Sequence, residues 1–531
     1  MNARILSTCT ALLIVTCSAV LLWGGLTNGH NWGDDFAQYI MQAKSIVEHK
    51  PAEFIATNRF IVENSEYAVG PVTYPWGFPA LLAPVYALFG LDLIALKAVN
   101  VVCFLLFLLV LWHGFGRSHT NPGRMLLLAL FALNPDMLSI IDSIVADISF
   151  LLASTCGVLL IGRLAVDRRP LISPVWDQVL LGVAIAAAFL IRLNGALLLV
   201  ALAVTQLVDL FNSVYRPDAS ANQRRFDAAV LLRRPDAIRL AVLSVLPYVS
   251  FAGFVLVCRL LLPDGGLSAQ GSIFSALSVD TIRRNVNIYA GMPAEFFGGV
   301  PHRDVLFGAT IPLAIAGAAV RLRRDYHVVV YAASTMLLYI LWPTTGGLRY
   351  LFPILPFYFS FAVSGVEYYA ARSQRPARTL VPAMCVVPVL VVLAYFARQS
   401  IDDASANMAR SRQEASGPFA ATSRDAFEYI RHTSEPDATI VFFKPRLMSL
   451  MTGRRSVKLF KVRDLPRGDY LCLYRPDEML DQMLPSEVKC LIGKGAMERV
   501  YTNPEFAVYR LLKSDESAWQ TSEECASPRI Y

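Results

Sequence analysis

Apolar runs of membrane-spanning length recur along this chain, separated by short polar connections, and their spacing is its dominant pattern. About eleven runs of roughly 15 to 25 residues centre near positions 15, 103, 129, 155, 184, 203, 251, 313, 335, 360 and 388. They predict a polytopic α-helical membrane protein whose membrane region covers residues 1–397. The first run, Ile5 to Leu26, follows the short flank Met1-Asn2-Ala3-Arg4 without a convincing small-residue cleavage site, so it reads as an uncleaved signal anchor. Beyond residue 398 the long runs stop. Thr439–Phe443 and Tyr470–Leu473 read as strands and Ser423–Arg431 as a helix, which predicts a small soluble α/β domain over 398–531.

Two connections are too long to be simple turns, 27–92 and 263–304, and long ordered loops commonly carry function. In the first, Gly33–Lys50 has the pattern of an amphipathic helix lying on the membrane. Phe78–Gly90 is too short to span and is expected at the interface. Between them, Val72-Thr73-Tyr74-Pro75-Trp76-Gly77-Phe78-Pro79 is a stiff aromatic turn suited to anchoring at headgroup level. The second has room for one or two short surface helices that could wall a site.

Composition agrees with the pattern. Of 531 residues 55% are hydrophobic and 17% charged, and the mean hydropathy is +0.47, too apolar for a soluble globular protein of this size. The net charge of +7 does not indicate nucleic acid, because the Lys and Arg residues are dispersed and many fall in short connections. With a cytoplasmic N-terminus, Arg-rich segments 117–124, 163–169, 216–239, 321–324 and 372–378 all lie inside, as the positive-inside rule requires. The long loops and the C-terminal domain then face outward across a cytoplasmic membrane. None of the nine cysteines has zinc-site spacing; Cys472, Cys490 and Cys525 lie in the polar region, where one disulfide can form in an oxidising compartment.

Against this apolar background a few charges stand at the outer ends of spans, where topology gives no reason for them. Asp34 and Asp35 open the first outer loop, Asp142 and Asp147 lie between two spans, Arg192 interrupts an apolar stretch, and Arg349 precedes Tyr350 late in the membrane region. Each has an ordinary explanation: an Asp caps a helix, an Arg snorkels or meets a lipid phosphate. Together they compose an anionic centre facing cations able to hold a phosphate.

In order along the chain, Asp34-Asp35, the Tyr74-Pro75 turn, Asn134-Pro135 leading to Asp147, Arg192-Leu193-Asn194-Gly195 and Arg349-Tyr350-Leu351-Phe352-Pro353 make the sequence resemble the C-type glycosyltransferases. The likeness is to the protein O-mannosyltransferase and lipid A aminoarabinose transferase group in particular. The run from Phe427 to Lys444-Pro445-Arg446 and Thr452-Gly453-Arg454-Arg455 resembles the outer domain of bacterial members. The resemblance implies a polyprenyl-phosphate sugar donor, an extracytoplasmic lipid, glycan or protein acceptor, and transfer with inversion. It implies Asp34 as general base with Asp35 beside it, and Asp147, Tyr74, Arg192, Arg349 and Tyr350 as substrate-binding residues. Relatives that transfer aminoarabinose carry an acid and a lysine ahead of the proline turn, where this chain has Pro71-Val72-Thr73. A metal site built on that acid is therefore not implied, although a divalent metal between carboxylate and phosphate is compatible with the chemistry. The competing reading is a non-enzymatic transporter of lipid-linked sugar or another solute; it predicts internal repeats and broken central helices, and neither is evident.

Overall fold

The computed structural model describes residues 3–66, 69–217, 224–226, 237–265, 278–372, 377–409, 415–476, 481–513, 519 and 522–526. Parts of the expected connections 216–239, 263–304 and 372–378 lie outside these. Fifteen helices make up the N-terminal part: α1 Ala3–Gly25, α2 Asp35–Val47, α3 Pro51–Asn64, α4 Gly77–Phe89, α5 Leu93–Gly114, α6 Asn121–Ala132, α7 Pro135–Ile141, α8 Asp147–Ile161, α9 Pro174–Ile191, α10 Leu197–Val214, α11 Ala237–Leu261, α12 Val279–Gly291, α13 Arg303–Leu341, α14 Leu355–Arg372 and α15 Ala377–Ala409. A helix stands at each of the eleven expected positions. Among the described residues, seven helices are long and apolar enough to cross a membrane, or eight if the α6–α7 pair, bent by 50°, is one broken span. Apolar side chains left exposed along α1, α5, α10 and α11, such as Val20, Val102, Leu207 and Leu260, suit hydrocarbon rather than water. The chain is a multi-pass membrane protein.

Two expected spans, centred at 313 and 335, are the halves of α13. These are two helices that meet at a kink, where Asp325 leaves helical geometry (φ −111°, ψ 22°), so each expected span has its own helix within Arg303–Leu341. Arg321 pairs with Asp325 at 2.5 Å and donates to Ser118 O at 2.8 Å, so the break is pinned by polar bonds. The first half of α13 packs closely on α14. A Cβ on Gly317 would stand 1.9 Å from Phe361 O, and one on Gly365 would stand 2.1 Å from Leu313 O, so only glycine allows this approach.

After α15, a five-stranded mixed sheet in the order β4-β3-β5-β7-β6 forms the C-terminal domain, called the outer domain after the side on which the sequence expects it, with α16 Ala421–Thr433, α17 Pro445–Thr452 and α18 Pro485–Gly493. Its strands are β3 Thr439–Val441, β4 Arg455–Val457, β5 Tyr470–Tyr474, β6 Met497–Thr502 and β7 Phe506–Leu511; Tyr215–Pro217 (β1) and Arg224–Phe226 (β2) pair separately. β3 runs parallel to β4 and β5, while β7 is antiparallel to β5 and β6. Cys490 is bonded to Cys525, leaving Cys472 free and buried in β5.

The first outer loop departs from expectation. Helix α2 does not lie on the membrane: Phe36, Ala37, Gln38, Tyr39, Ile40, Gln42, Ala43 and Ser45 are buried, between α4 and α17. A helix not foreseen, α3, follows it. Trp76, expected at the headgroups, is 8% exposed and donates its indole N–H to Pro263 O at 3.1 Å. Protein on both faces of this loop replaces the lipid that an isolated amphipathic pattern suggests. The short helix α4 does expose Leu81, Leu88 and Phe89, as an interfacial helix would.

Candidate functional site

Helix α9 ends at Ile191 because Arg192 is extended (φ −146°, ψ 134°) and a 3-10 turn, Leu193–Ala196, leads into α10. The Arg192 side chain meets Asp147, the first residue of α8, which is 4% exposed: Nη1 lies 2.5 Å from Oδ1. Arg349, in the 3-10 turn Leu348–Leu351 before α14, brings its Nη1 to 4.0 Å from Asp147 Oδ2 and donates from Nε to Gly346 O. Both guanidiniums stand over the Tyr350 ring, at 5.2 and 5.7 Å. Tyr350 stacks on Tyr339 with 5.3 Å between ring centroids, and Asn194 Nδ2 donates to the Tyr339 hydroxyl at 2.8 Å. Two guanidiniums therefore share one carboxylate, and the surplus positive charge suits an anion.

The acidic loop approaches this cluster through α2. Asp35 accepts a 2.7 Å hydrogen bond from the Tyr74 hydroxyl. Tyr39, one helical turn after Asp35 and so on the same face, lies 4.8 Å ring to ring from Tyr74 and 5.0 Å from Phe78. Its charged neighbours are Arg192, Asp35, Asp147 and Arg349, and burial holds its phenol well above the usual range. Tyr39 thus bridges the Asp35 side to the arginine side. Burial, followed by the Asp35 charge, likewise raises the Tyr74 phenol, so both tyrosines stay neutral donors.

The turn carrying Tyr74 is set by side chains of α2. Gln42 donates to Tyr74 O at 2.9 Å and accepts from Tyr74 N at 3.1 Å, while Gln38 donates to Pro71 O and Val72 O. At its far end Gly77 abuts α9. A Cβ there would lie 2.6 Å from Leu190 C and O, so glycine lets the turn settle beside the helix end that presents Arg192.

Asp34 faces elsewhere. Its Oδ1 accepts from the backbone N–H of Arg446 at 3.1 Å and of Leu447 at 3.3 Å, at the start of α17 in the outer domain. Burial pushes its carboxyl up to about 6, against the opposing pull of Arg446 and Lys444. Asp142 also turns away from the arginines, binding the buried Lys97 at 2.7 Å and Thr27 N at 2.9 Å. Beside this pair a cavity of about 400 Å³ is lined by Thr27, His30, Asn31, Asp142, Ser143 and Asn407 among others.

Of the residues expected from sequence, Asp35, Tyr74, Asp147, Arg192, Arg349 and Tyr350 come together; Asp34 and Asp142 do not join them. Tyr39, Tyr339, Asn194, Asn58 and Arg446 were not foreseen as working residues. Asn194 and Arg446 stood in motifs carrying the resemblance without a role assigned to them, and Tyr39 had a readable signal in its four-residue spacing from Asp35. Among the described residues no three His, Cys, Asp or Glu side chains gather closely enough to share a metal ion. Asp35 is, among the described residues, the acid of the first loop that lies beside the cluster, through Tyr74 and Tyr39.

No family model matches the sequence, and no curated protein matches it. The fold does have solved counterparts. ArnT from Cupriavidus metallidurans, bound to undecaprenyl phosphate, superposes with a TM-score of 0.58 at 13% identity, over 98% of this chain and 99% of that one. The archaeal oligosaccharyltransferase AglB from Archaeoglobus fulgidus, in complex with an inhibitory peptide and a dolichol-phosphate, matches with a TM-score of 0.52 at 11% identity, over 87% of this chain and 69% of its own. The arabinofuranosyltransferase AftD from mycobacteria matches 94% of this chain and 41% of its own, with a TM-score of 0.50 at 13% identity. The chain has the C-type glycosyltransferase fold. Its layout follows ArnT from end to end, the outer domain included.

Proposed function

We propose that this protein is an integral-membrane glycosyltransferase that moves a sugar from a polyprenyl-phosphate donor to a hydroxyl-bearing acceptor on the extracytoplasmic side. The observation that carries this reading is the pairing of Arg192 and Arg349 with a single carboxylate, Asp147, beside the Asp35–Tyr74 pair. The two guanidiniums bind the donor phosphate, and Tyr350 holds them in place from below. The acceptor oxygen attacks the anomeric carbon as the bond from that carbon to the phosphate oxygen breaks. The phosphate leaves with the bonding electron pair, already an anion, so no acid is needed; the acceptor proton passes to a carboxylate. One displacement inverts the anomeric centre.

Of the two adjacent acids, Asp35 is the better candidate base. It lies beside the arginine cluster through Tyr39, whereas the Asp34 carboxylate, to which the family resemblance assigns the role, is engaged by α17. Support for a lipid-linked donor comes from the fold shared with ArnT, which was solved with undecaprenyl phosphate, and with AglB, solved with a dolichol-phosphate.

The test is transfer of radiolabelled sugar from a mixed pool of polyprenyl-phosphate sugars to membrane extracts. Native protein, Asp35→Asn and Asp34→Asn are compared at matched expression. Loss confined to Asp35→Asn supports the assignment. Loss confined to Asp34→Asn exchanges the two roles, and no transfer by native protein from any donor overturns the glycosyltransferase reading in favour of transport.

A further inference from the structure

The seam between the first outer loop and the outer domain is built far more closely than tethering requires. Arg446 is 0% exposed and reaches from α17 into the loop: Nε donates to Asn58 Oδ1 at 3.0 Å and Nη2 to Pro71 O at 2.8 Å. Asn58, on α3, in turn donates to Val72 O. Pro71 and Val72 are also the carbonyls that Gln38 holds, so Arg446, Asn58 and α2 all grip the same turn. Gly70, at φ +99°, leaves room where they meet. A Cβ there would lie 3.0 Å from Arg446 Nη1 and 3.3 Å from the Tyr74 hydroxyl, the group that donates to Asp35. A second anchor is aromatic. Trp32, two residues before Asp34, sits among Phe442, Phe443, Tyr474 and Phe506 of the outer domain, with centroids 5.0 to 6.2 Å apart. A third is the Ser65-Glu66 pair: Glu66 N–H donates to Lys458 O, Ser65 Oγ accepts from Lys458 N–H, and Glu66 Oε1 accepts from the N–H groups of Phe460 and Lys461, beyond β4.

From this we infer that the outer domain is a working part of the reacting centre, with Arg446 as a positioning residue that fixes the Pro71–Tyr74 turn and through it the Tyr74–Asp35 pair. The inference rests on the transfer reaction proposed above for its kinetic consequences but not for its structural ones. Arg446 does not touch the reacting atoms. A buried guanidinium is chosen because its rigid planar fork can hold a side-chain carbonyl and a backbone carbonyl at once, which a lysine ammonium does less well. Asp34 completes the clamp by capping α17. The two neighbouring acids therefore divide the labour: Asp34 faces the outer domain and Asp35 the arginine cluster.

The test compares full-length Arg446→Met, Arg446→Lys and Asn58→Ala with Arg454→Met as a control. Arg454 bonds only within the outer domain among the described contacts, to Ser434 and Arg431. Hydrogen exchange of peptides spanning 69–80 and 34–42 is followed together with transfer kinetics. Arg446→Met and Asn58→Ala are expected to speed exchange in both peptides while β5 and β7 stay protected. They should lower kcat on the order of 100-fold, the usual cost of about 1 Å of misplacement, with donor KM unchanged because Arg192 and Arg349 are intact. Arg446→Lys should recover part of the lost rate, and Arg454→Met should leave the two loop peptides unchanged. Native kcat in Arg446→Met overturns the inference. So does loss of protection across β5 and β7 in both Arg446→Met and Asn58→Ala, which reduces the residue to a folding role. If native protein transfers nothing, the proposed reaction fails, and the exchange measurements still decide whether Arg446 orders the acidic loop.

Discussion

The arginine cluster at the membrane face and the seam beneath the outer domain use the same two ingredients, a carboxylate and a guanidinium, to opposite effect. In the cluster, Arg192 and Arg349 converge on Asp147, so positive charge is in excess and the donor groups of two planar forks outnumber what one carboxylate can accept. In the seam, Arg446 donates from Nε and Nη2 to neutral carbonyl oxygens while its buried Nη1 has no hydrogen-bond partner among the described residues, and Asp34 accepts from backbone N–H groups of α17. The first arrangement is receptive to an anion; the second is a joint. A residue's chemistry is thus set by which partners surround it, and adjacent residues Asp34 and Asp35 fall on opposite sides of that divide.

The largest expected effect separates those two acids. Asp35→Asn should cost roughly 10²- to 10⁴-fold in kcat, the range for loss of a general base, with the protein still folded by thermal unfolding in detergent. Equal activity in this variant and native protein would mean that Asp35 is not the base.

Next comes Arg192→Met, expected to lower kcat/KM by roughly 10²- to 10³-fold as a phosphate donor pair is lost. It also strands Asp147, and breaking a buried pair from one side costs roughly 3–5 kcal/mol. The double variant Arg192→Met/Asp147→Asn should regain most of that stability and none of the activity. Recovery of activity in the double variant would mean that the pair is structural, like the seam.

Asp34→Asn should have a smaller effect, less than about tenfold in kcat, because the amide oxygen still accepts from the α17 N–H groups and Asn caps helices about as well as Asp. Its signature is in the pH dependence. With the folded-state carboxyl raised from 3.8 to about 6, the folded protein binds this proton more tightly than the unfolded chain. The contribution is fully present below about pH 4 and is lost as pH rises through about 6. The native thermal midpoint should therefore fall across that window through this group, and in Asp34→Asn that component of the slope should vanish.

The smallest effect on transfer is expected from Cys490→Ser. Opening the Cys490–Cys525 bridge, 35 residues apart, removes a constraint worth roughly 3–4 kcal/mol in the chain-entropy account. Midpoints for the outer domain should drop with kcat close to native, since the bridge lies away from Arg446 and Trp32. A large loss of kcat would show that the seam is sensitive to the whole domain rather than to its clamp.

Much of the membrane region was legible because an apolar run of spanning length has few alternatives, and all eleven positions carry helix. The two spans expected at 313 and 335 are met by the two halves of α13, which meet at a kink at Asp325; what pins that kink, the bonds of Arg321 to Asp325 and Ser118, was not legible. Helix α2 was located within two residues at its start, but its surroundings were misjudged. An amphipathic pattern states that one face is apolar; it does not state whether lipid or protein covers it. Asp147, Arg192, Arg349 and Tyr350 stood out because charge is costly near hydrocarbon, so each needed a reason. Arg446 stood in a run resembling the outer domain of bacterial members, but nothing in the sequence gave it a role, because the carboxylate its backbone meets lies 412 positions away.

By itself the sequence determined the multi-pass membrane character, the positions of the apolar helices, the polar C-terminal domain and the unusual charges at the ends of apolar runs, because each follows from local composition and periodicity. Tertiary structure alone decided which carboxylate faces the arginines, which cysteines pair and what the outer domain holds. Those depend on side-chain direction and on contacts between segments hundreds of residues apart, and a one-residue step around α2 is enough to turn an acid from the site to the seam.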